Sequence, residues 1–323
     1  MSIINTSYLE EKWNSISKED IRGYRIQRIS PESKLGINIG LNHRVERCLI
    51  LELPKDTNLV FFNRERQNLS IYHLREQGYI VIELLDQFFN DLFCDLIVSL
   101  YQRIQGIEDV EECSMELVAS FNKWSEFLTD QSGRLLSVDD VKGLWGELFI
   151  LRSLLNDSES SLVDETLGAW QGPYDRGHDF VLTDKNIEVK TRDASRIDIS
   201  ISSEYQLEPE FGKNLELLVL NVLVDTILGQ SLLELVEDIR ESIQIRSGDS
   251  SILLKALAQK GLNMRNIESY PGKYLAVSET VYDCMHGDFP KLNRNSIPSA
   301  INNLCYNIRT TGLDQFIIRQ ILY

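Results

Sequence analysis

The stretch YDRGHDFVLTDKNIEVKTRD, residues 174–193, decides how this chain is read. Two short runs of alternating polar and apolar residues, DFVL and NIEVKT, flank the turn-forming TDKN, which is the pattern of a β-hairpin. With Asp184 and Lys185 as the central turn residues, Leu182 pairs with Ile187, Val181 with Glu188, and Asp179 lies opposite Lys190. Strand side chains alternate faces, so Asp179, Val181, Glu188 and Lys190 share one face while Phe180, Leu182, Ile187 and Val189 share the other. Asp179 and Glu188 are then diagonal neighbours, roughly 7–8 Å apart at the backbone. The apolar face suits a core. The polar face is either a solvated surface with a cross-strand ion pair or a place where two carboxylates converge on one cation.

The second reading makes chemical sense. Hard carboxylate oxygens suit Mg²⁺, which keeps several waters and needs only one or two protein ligands. Such an ion polarises a phosphodiester oxygen and lowers the pKa of a bound water. Lys190 would hold the attacking water or offset charge in the transition state. Upstream, Ser137 and Asp140 form a capping-box pattern ahead of VKGLWGELFILRSLL, which predicts a helix whose apolar stripe is Val141, Leu144, Trp145, Leu148, Leu151 and Leu155. Glu147 falls beside that stripe, as a rim residue or as a group that binds a second ion or orients water. His178 is a supporting candidate, either bonding a loop carbonyl or serving as a base. Tyr205 and Gln206 either contact the site or stabilise a turn. Lys185, Arg192 and Arg196 either form a small basic patch that touches nucleic acid or are solvated turn residues. Trp145 and Trp170 read as core aromatics rather than base-stacking platforms.

Five segments carry a resemblance: GLWGELFIL (143–151), AWQGPYDRGHDFVL (169–182), NIEVKT (186–191), ISSEYQLEP (201–209) and FPKLNRNSIP (289–298). In them the chain resembles the PD-(D/E)xK nuclease superfamily, and more narrowly a family of prokaryotic PD-(D/E)xK-motif proteins encoded in phage-defence gene clusters. The resemblance implies an α/β fold with a restriction-endonuclease-like αβββαβ core and a mixed sheet, centred on about 135–230. It also implies Mg²⁺ dependence, with Mn²⁺ as a substitute, and phosphodiester cleavage. Carried onto matching positions, it makes Asp179 and Glu188 metal ligands, Lys190 catalytic and Glu147 the accessory acid and further ligand. His178 stands where the family motif has Pro, a position that contributes geometry rather than chemistry.

Composition sets the frame around this site. The chain has 323 residues, 43% hydrophobic and 25% charged, the balance of a soluble globular protein of two-domain size. Residues 24–85 contain the β-favouring runs YRIQRIS, LGINIGLN, RCLILELP, NLVFF, LSIYHL and GYIVIELL. Helical spacing follows at 87–103 and 110–128. The expectation is a β-rich N-terminal domain with a helical connector over 1–130, the polar link TDQSGR at 129–134, and a nuclease-like domain with a C-terminal extension over 131–323. Within the latter, RIDISISS reads as a strand, LELLVLNVLVD as a central strand and YLAVSETVYDC as a late strand. ILGQSLLELVEDIRESI and SILLKALAQKG read as helices.

The five cysteines are scattered, without CxxC pairs, and no HExxH occurs, which argues against zinc. A secretory leader pattern is absent at the N-terminus and the most apolar run is too short for a membrane helix, so a cytoplasmic protein without membrane contact is expected. The net charge of −16 argues against an autonomous DNA binder, whose affinity comes largely from neutralising phosphates. It leaves either one local basic patch or a partner that supplies the DNA grip. The resemblance implies neighbouring defence proteins (ATPase/helicase-like or methyltransferase-like) as that partner, with a homo-oligomer as a further option. The expected function is a Mg²⁺-dependent DNA endonuclease subunit of a multi-component prokaryotic defence or restriction-like system. The alternatives are a non-cleaving scaffold with a nuclease fold, and RNA as the substrate.

Overall fold

The computed structural model describes residues 4–323 except 55, 56, 58–60, 62, 129–134, 175, 176, 293, 299, 302 and 303. The TDQSGR link and most of the NLVFF run therefore lie outside the described residues. The chain divides into two compact units, 1–131 with 243–255, and 132–242 with 256–323. Residues 243–255 thus group with the first unit.

In the first unit, helix α1 (Thr6–Ser15) precedes strands β1 (Arg25–Arg28), β2 (Gly36–Leu41), β3 (Arg47–Glu52), β4 (Arg64–Glu65), β5 (Leu69–Leu74) and β6 (Tyr79–Leu84). Helices α2 (Asn90–Ile104) and α3 (Val110–Ser125) follow. The strands form one antiparallel sheet in the order β1-β2-β3-β6-β5-β4. Alternation sends Ile37, Ile39, Leu49, Leu51, Ile71, Ile80 and Ile82 to one face, all of them buried, where α1 packs on β2 and α3 on β5. The opposite face carries a smaller cluster of Cys48, Ile50 and Val81, edged by Tyr24, Ile26, Tyr72, Leu74 and Tyr79. The sequence reading has no counterpart for α1. Asn5 caps that helix through its side chain, and only Leu9 and Trp13 are buried along it, too sparse an apolar stripe to stand out.

The second unit begins with α4 (Val138–Asp157) and α5 (Val163–Ala169). Then come β7 (Phe180–Val181), β8 (Lys185–Asp193), β9 (Asp198–Ile201), β10 (Asn214–Val224) and β11 (Gln230–Ser231). Helix α6 (Leu232–Ile245), which ends among residues of the first unit, and α7 (Ser250–Gln259), which begins among them, lead to β12 (Lys273–Asp283), β13 (Tyr306–Arg309) and β14 (Ile317–Leu322). The main sheet runs β11-β12-β10-β8-β7, with β14 also on β12. It is mixed: β8 is parallel to β10, while β7 on β8 and β12 on β10 are antiparallel. Taken along the chain, α4, β7, β8, β10, α6 and β12 give the αβββαβ order of a restriction-endonuclease-like core. The RIDISISS strand stays out of this sheet and forms a two-stranded ribbon with β13. The LELLVLNVLV strand is central because its residues are apolar on both faces; Leu215, Leu217, Leu218, Val219, Leu220 and Val222 are all buried. No helix among the described residues is long and apolar enough to cross a membrane.

Helix α4 positions the rest. Its capping box is formed, with Asp140 N–H donating to Ser137 Oγ and Ser137 N–H to Asp140 Oδ2, both at 3.1 Å. Val141, Leu144, Trp145, Leu148, Leu151 and Leu155 are buried along one side. Gly146 lets the helix lie directly on β8. A Cβ there would sit 2.9 Å from the Cβ of Thr191 and closer still to its Oγ1.

Two outcomes follow from these contacts. Gly146→Ala gains about 1 kcal/mol of helix propensity, but the overlap with a stiff β-branched neighbour outweighs it. The expected net loss is about 1–3 kcal/mol, read as a lower urea midpoint at unchanged slope, with partial recovery in Gly146→Ala/Thr191→Ala. In the first unit, Asp249 is 2.7 Å from Lys123 Nζ and accepts from the Ser251 hydroxyl at 2.6 Å. Burial works to raise this carboxyl, and the Lys123 and Ser251 hydrogen bonds overcome it and hold it below the ordinary value of 3.8. A lowered folded-state pKa gives stability that is present above the unfolded value and lost as pH falls through the folded one. Thermal melts from neutral pH into acid should therefore show a steeper loss for the wild type than for Asp249→Asn.

Candidate active site

The hairpin forms with a register two residues away from the sequence expectation. Phe180 pairs with Ile187 and Val181 with Asn186, and Leu182 N–H donates to Lys185 C=O at 2.9 Å, so Thr183 and Asp184 make the turn. Because the side-chain period is two, a slip of two leaves every residue on its expected face. Phe180, Ile187 and Val189 are buried on the core side. Asp179 is now level with Glu188 rather than with Lys190. The β7–β8 ladder ends at this point, and Asp179 Oδ2 takes the N–H of Val189 at 2.7 Å where a longer strand would have supplied a carbonyl.

Four charged groups meet on the polar face. Glu188 is 1% exposed, and its Oε1 is 2.8 Å from Lys190 Nζ. Lys190 also donates to Gln206 Oε1 at 3.0 Å, an oxygen that accepts from Ser202 N–H at 2.9 Å and from its hydroxyl at 3.2 Å. Glu147 and Asp179 are partly buried and approach each other at Gly172. A Cβ on Gly172 would come 2.9 Å from Asp179 Oδ1 and closer still to Glu147 Oε2, so a side chain there would push one or both carboxylates aside. The main chain around it is tied to the same strand, since Gln171 and Gly172 N–H both donate to Asp179 C=O, at 2.7 and 3.1 Å.

The electrostatics are those of acids forced together. Enclosure by protein and the nearby Asp179 charge push Glu147 up to about 8, against the opposing pull of the Trp170 hydrogen bond, Lys260 and Lys190. Burial likewise raises Asp179, although the Val189 N–H and Lys190 act the other way. Glu188 is pushed well above the ordinary carboxylate range by burial and Asp179, which the Lys190 ion pair offsets only in part. Among the described residues no three His, Cys, Asp or Glu side chains close around a single point. The pairs formed at Asp179 nevertheless fit a hard divalent cation, which needs one or two carboxylates and keeps water in its other positions. A cation there would relieve the repulsion by Asp179 that helps raise Glu147 and Glu188, and would favour the charged form of the buried Asp179.

The other candidates divide. His178 is buried and its Nε2 stands 3.1 Å from Glu208 C=O, a loop-tying contact. Lys185 is held by both oxygens of Glu216 at 2.9 Å. Arg192 donates to Asn221 Oδ1 at 2.7 Å and to Thr310 Oγ1 at 2.9 Å. Seven residues of strand, about 23 Å, separate Lys185 from Arg192, so they do not form one patch. Arg196 is exposed and lies 3.8 Å from Asp193. Trp170, read from the sequence as a core aromatic, is buried and also donates its Nε1–H to Glu147 Oε2 at 2.8 Å. Lys260, just past α7, escaped the sequence reading, and its charge acts on Glu147 and Asp179.

Comparison with known protein families gives a match over residues 9–311 to the family described as "Putative PD-(D/E)XK family member (DUF4420)". The chain belongs to this family. Comparisons with curated proteins and with solved structures return no match. Membership in a PD-(D/E)XK family supports a nuclease-type function, and such a family handles DNA with divalent metals.

Within this PD-(D/E)XK member, the raised carboxyls have a measurable consequence. A carboxyl whose pKa is higher in the folded than in the unfolded state gives stability that is present at low pH and lost as pH rises. For Glu147 the window runs from its ordinary 4.5 to about 8. In the presence of a chelator, the melting temperature should fall over that window. Glu147→Gln should fall less steeply, the remaining slope coming from Asp179 and Glu188.

Proposed function

We propose that this chain is a Mg²⁺-dependent DNA endonuclease, the cutting subunit of a multi-component prokaryotic anti-phage defence or restriction-like system. The observation that carries the reading is the meeting of Asp179, Glu188 and Lys190 on one hairpin face with Glu147 delivered by α4. Asp179 and Glu188, with Glu147, are the residues that would hold Mg²⁺ or Mn²⁺. When bound, the cation supplies a polarised phosphodiester oxygen and a water of lowered pKa.

The chain's own groups do the rest. Lys190 is held from two sides, by Glu188 and Gln206, so its ammonium is fixed where negative charge develops on the phosphoryl group. Glu147 keeps one oxygen tied and offers the other for orienting water. The net charge of −16, with Lys185 and Arg192 engaged inside the fold, supports a DNA grip supplied by partner proteins of the same system. Cytoplasmic placement accords with that role.

The test is plasmid cleavage in Mg²⁺ or Mn²⁺ by the purified chain with its neighbouring gene products. Lys190→Ala and Asp179→Ala should each lower kcat by about 100-fold or more, with folding checked by circular dichroism. Unchanged cleavage in both variants means that the site is wrong. The acidic charge also favours a second reading, a scaffold that uses the nuclease fold without cutting. It requires anti-phage protection to persist in an Asp179→Ala complex that still assembles.

A further inference from the structure

We infer that Trp170 is a positioning residue of this site: its indole N–H holds Glu147 Oε2 and thereby fixes that carboxylate beside Asp179, where the cation and its water would bind. The inference rests on the hydrolytic reading above but concerns a group that the D…ExK pattern does not contain. The indole is a donor with no acceptor capacity, so it can pair only with an oxygen bearing a lone pair. Here it finds one at 2.8 Å. Trp170 is 1% exposed and cannot swing away. Its backbone bridges to Phe180 of β7, and the next two residues give their N–H groups to Asp179 C=O. One strap, 170–172, therefore fixes Glu147 through a side chain, Asp179 through the backbone, and the gap between them through Gly172.

Glu147 Oε1 has no hydrogen bond among the described residues, so a single anchored oxygen sets the plane of the carboxylate. Groups that tie down a metal-binding or water-orienting side chain in this way usually contribute 10–100-fold to affinity or activity. Trp170 differs from the other three tryptophans in its acceptor. Trp13 and Trp145 donate to the backbone carbonyls of Gly40 and Gln230, at 3.2 and 3.0 Å, and the buried Trp124 Nε1 has no partner among the described residues. The chain thus contains its own reference for an unbonded buried indole.

The experiment uses the full chain labelled with ¹⁵N at tryptophan, which gives four indole cross-peaks, one for each tryptophan. Glu147→Leu, which removes the acceptor and leaves Trp170 in place, should move the Trp170 peak toward the Trp124 position while the other three stay. Mn²⁺ titrated into the wild type should broaden the Trp170 peak first. Trp170→Phe should lower kcat for plasmid cleavage by about 10–100-fold with KM changed less than about threefold. A Trp170 peak unmoved in Glu147→Leu overturns the hydrogen bond, and Mn²⁺ that broadens all four peaks alike overturns the link to the cation. Unchanged kcat in Trp170→Phe overturns the positioning role. If the wild type cuts no DNA but the Trp170 peak still answers to Glu147→Leu and to Mn²⁺, the nuclease reading fails and the role of Trp170 toward Glu147 and the cation stands.

Discussion

The contact of α4 with β8 through Gly146 and Thr191 is the constraint on which the site depends. Glu147 follows Gly146 directly, so the distance between helix and strand sets the distance between Glu147 and the carboxylates of the hairpin. A side chain at 146 would hold the helix away, and the acids would no longer repel one another, or a cation bridge them, across so small a gap. The capping box at Ser137 and the apolar stripe fix the rotation of the helix about its axis. Gly146 fixes its height above the sheet.

A second glycine repeats the device from the opposite side. Gly172 lets a loop lie against Glu147 and Asp179 where any other residue would intrude. Two close approaches therefore enclose a cluster of acids that would otherwise drift apart into water. Holding such a cluster costs stability, since each acid is desolvated beside a like charge. Lys190 and Lys260 offset part of that cost. The remainder is what a divalent cation is suited to relieve.

Much of this was legible in the sequence, for a reason that the hairpin makes plain. The partition of Asp179, Glu188 and Lys190 from Phe180, Ile187 and Val189 depends only on parity along the strand, so it survived a wrong choice of turn residues. Helix α4 was legible because cap and stripe agree over twenty residues. The contacts of Trp170 and Lys260 were not, because nothing local links a residue at 170 or 260 to a glutamate at 147. The same limit applies to Lys185 and Arg192: a charge reads as free until the strand beside it supplies Glu216 or Asn221. Helix α1 lacked the apolar density that periodicity needs.

The short reach of β7 has a consequence of a different kind. Beyond Ile187, β7 offers β8 no further partner in the ladder, and a strand N–H left without one must find its acceptor elsewhere. The Asp179 carboxylate occupies the Val189 donor and sets a negative charge at that edge. The residue thus completes the hydrogen bonding of the strand in addition to the place proposed for it at the cation. Replacing it with alanine leaves the Val189 N–H without this acceptor and also removes the proposed ligand, while asparagine, which keeps an acceptor oxygen, separates the two effects.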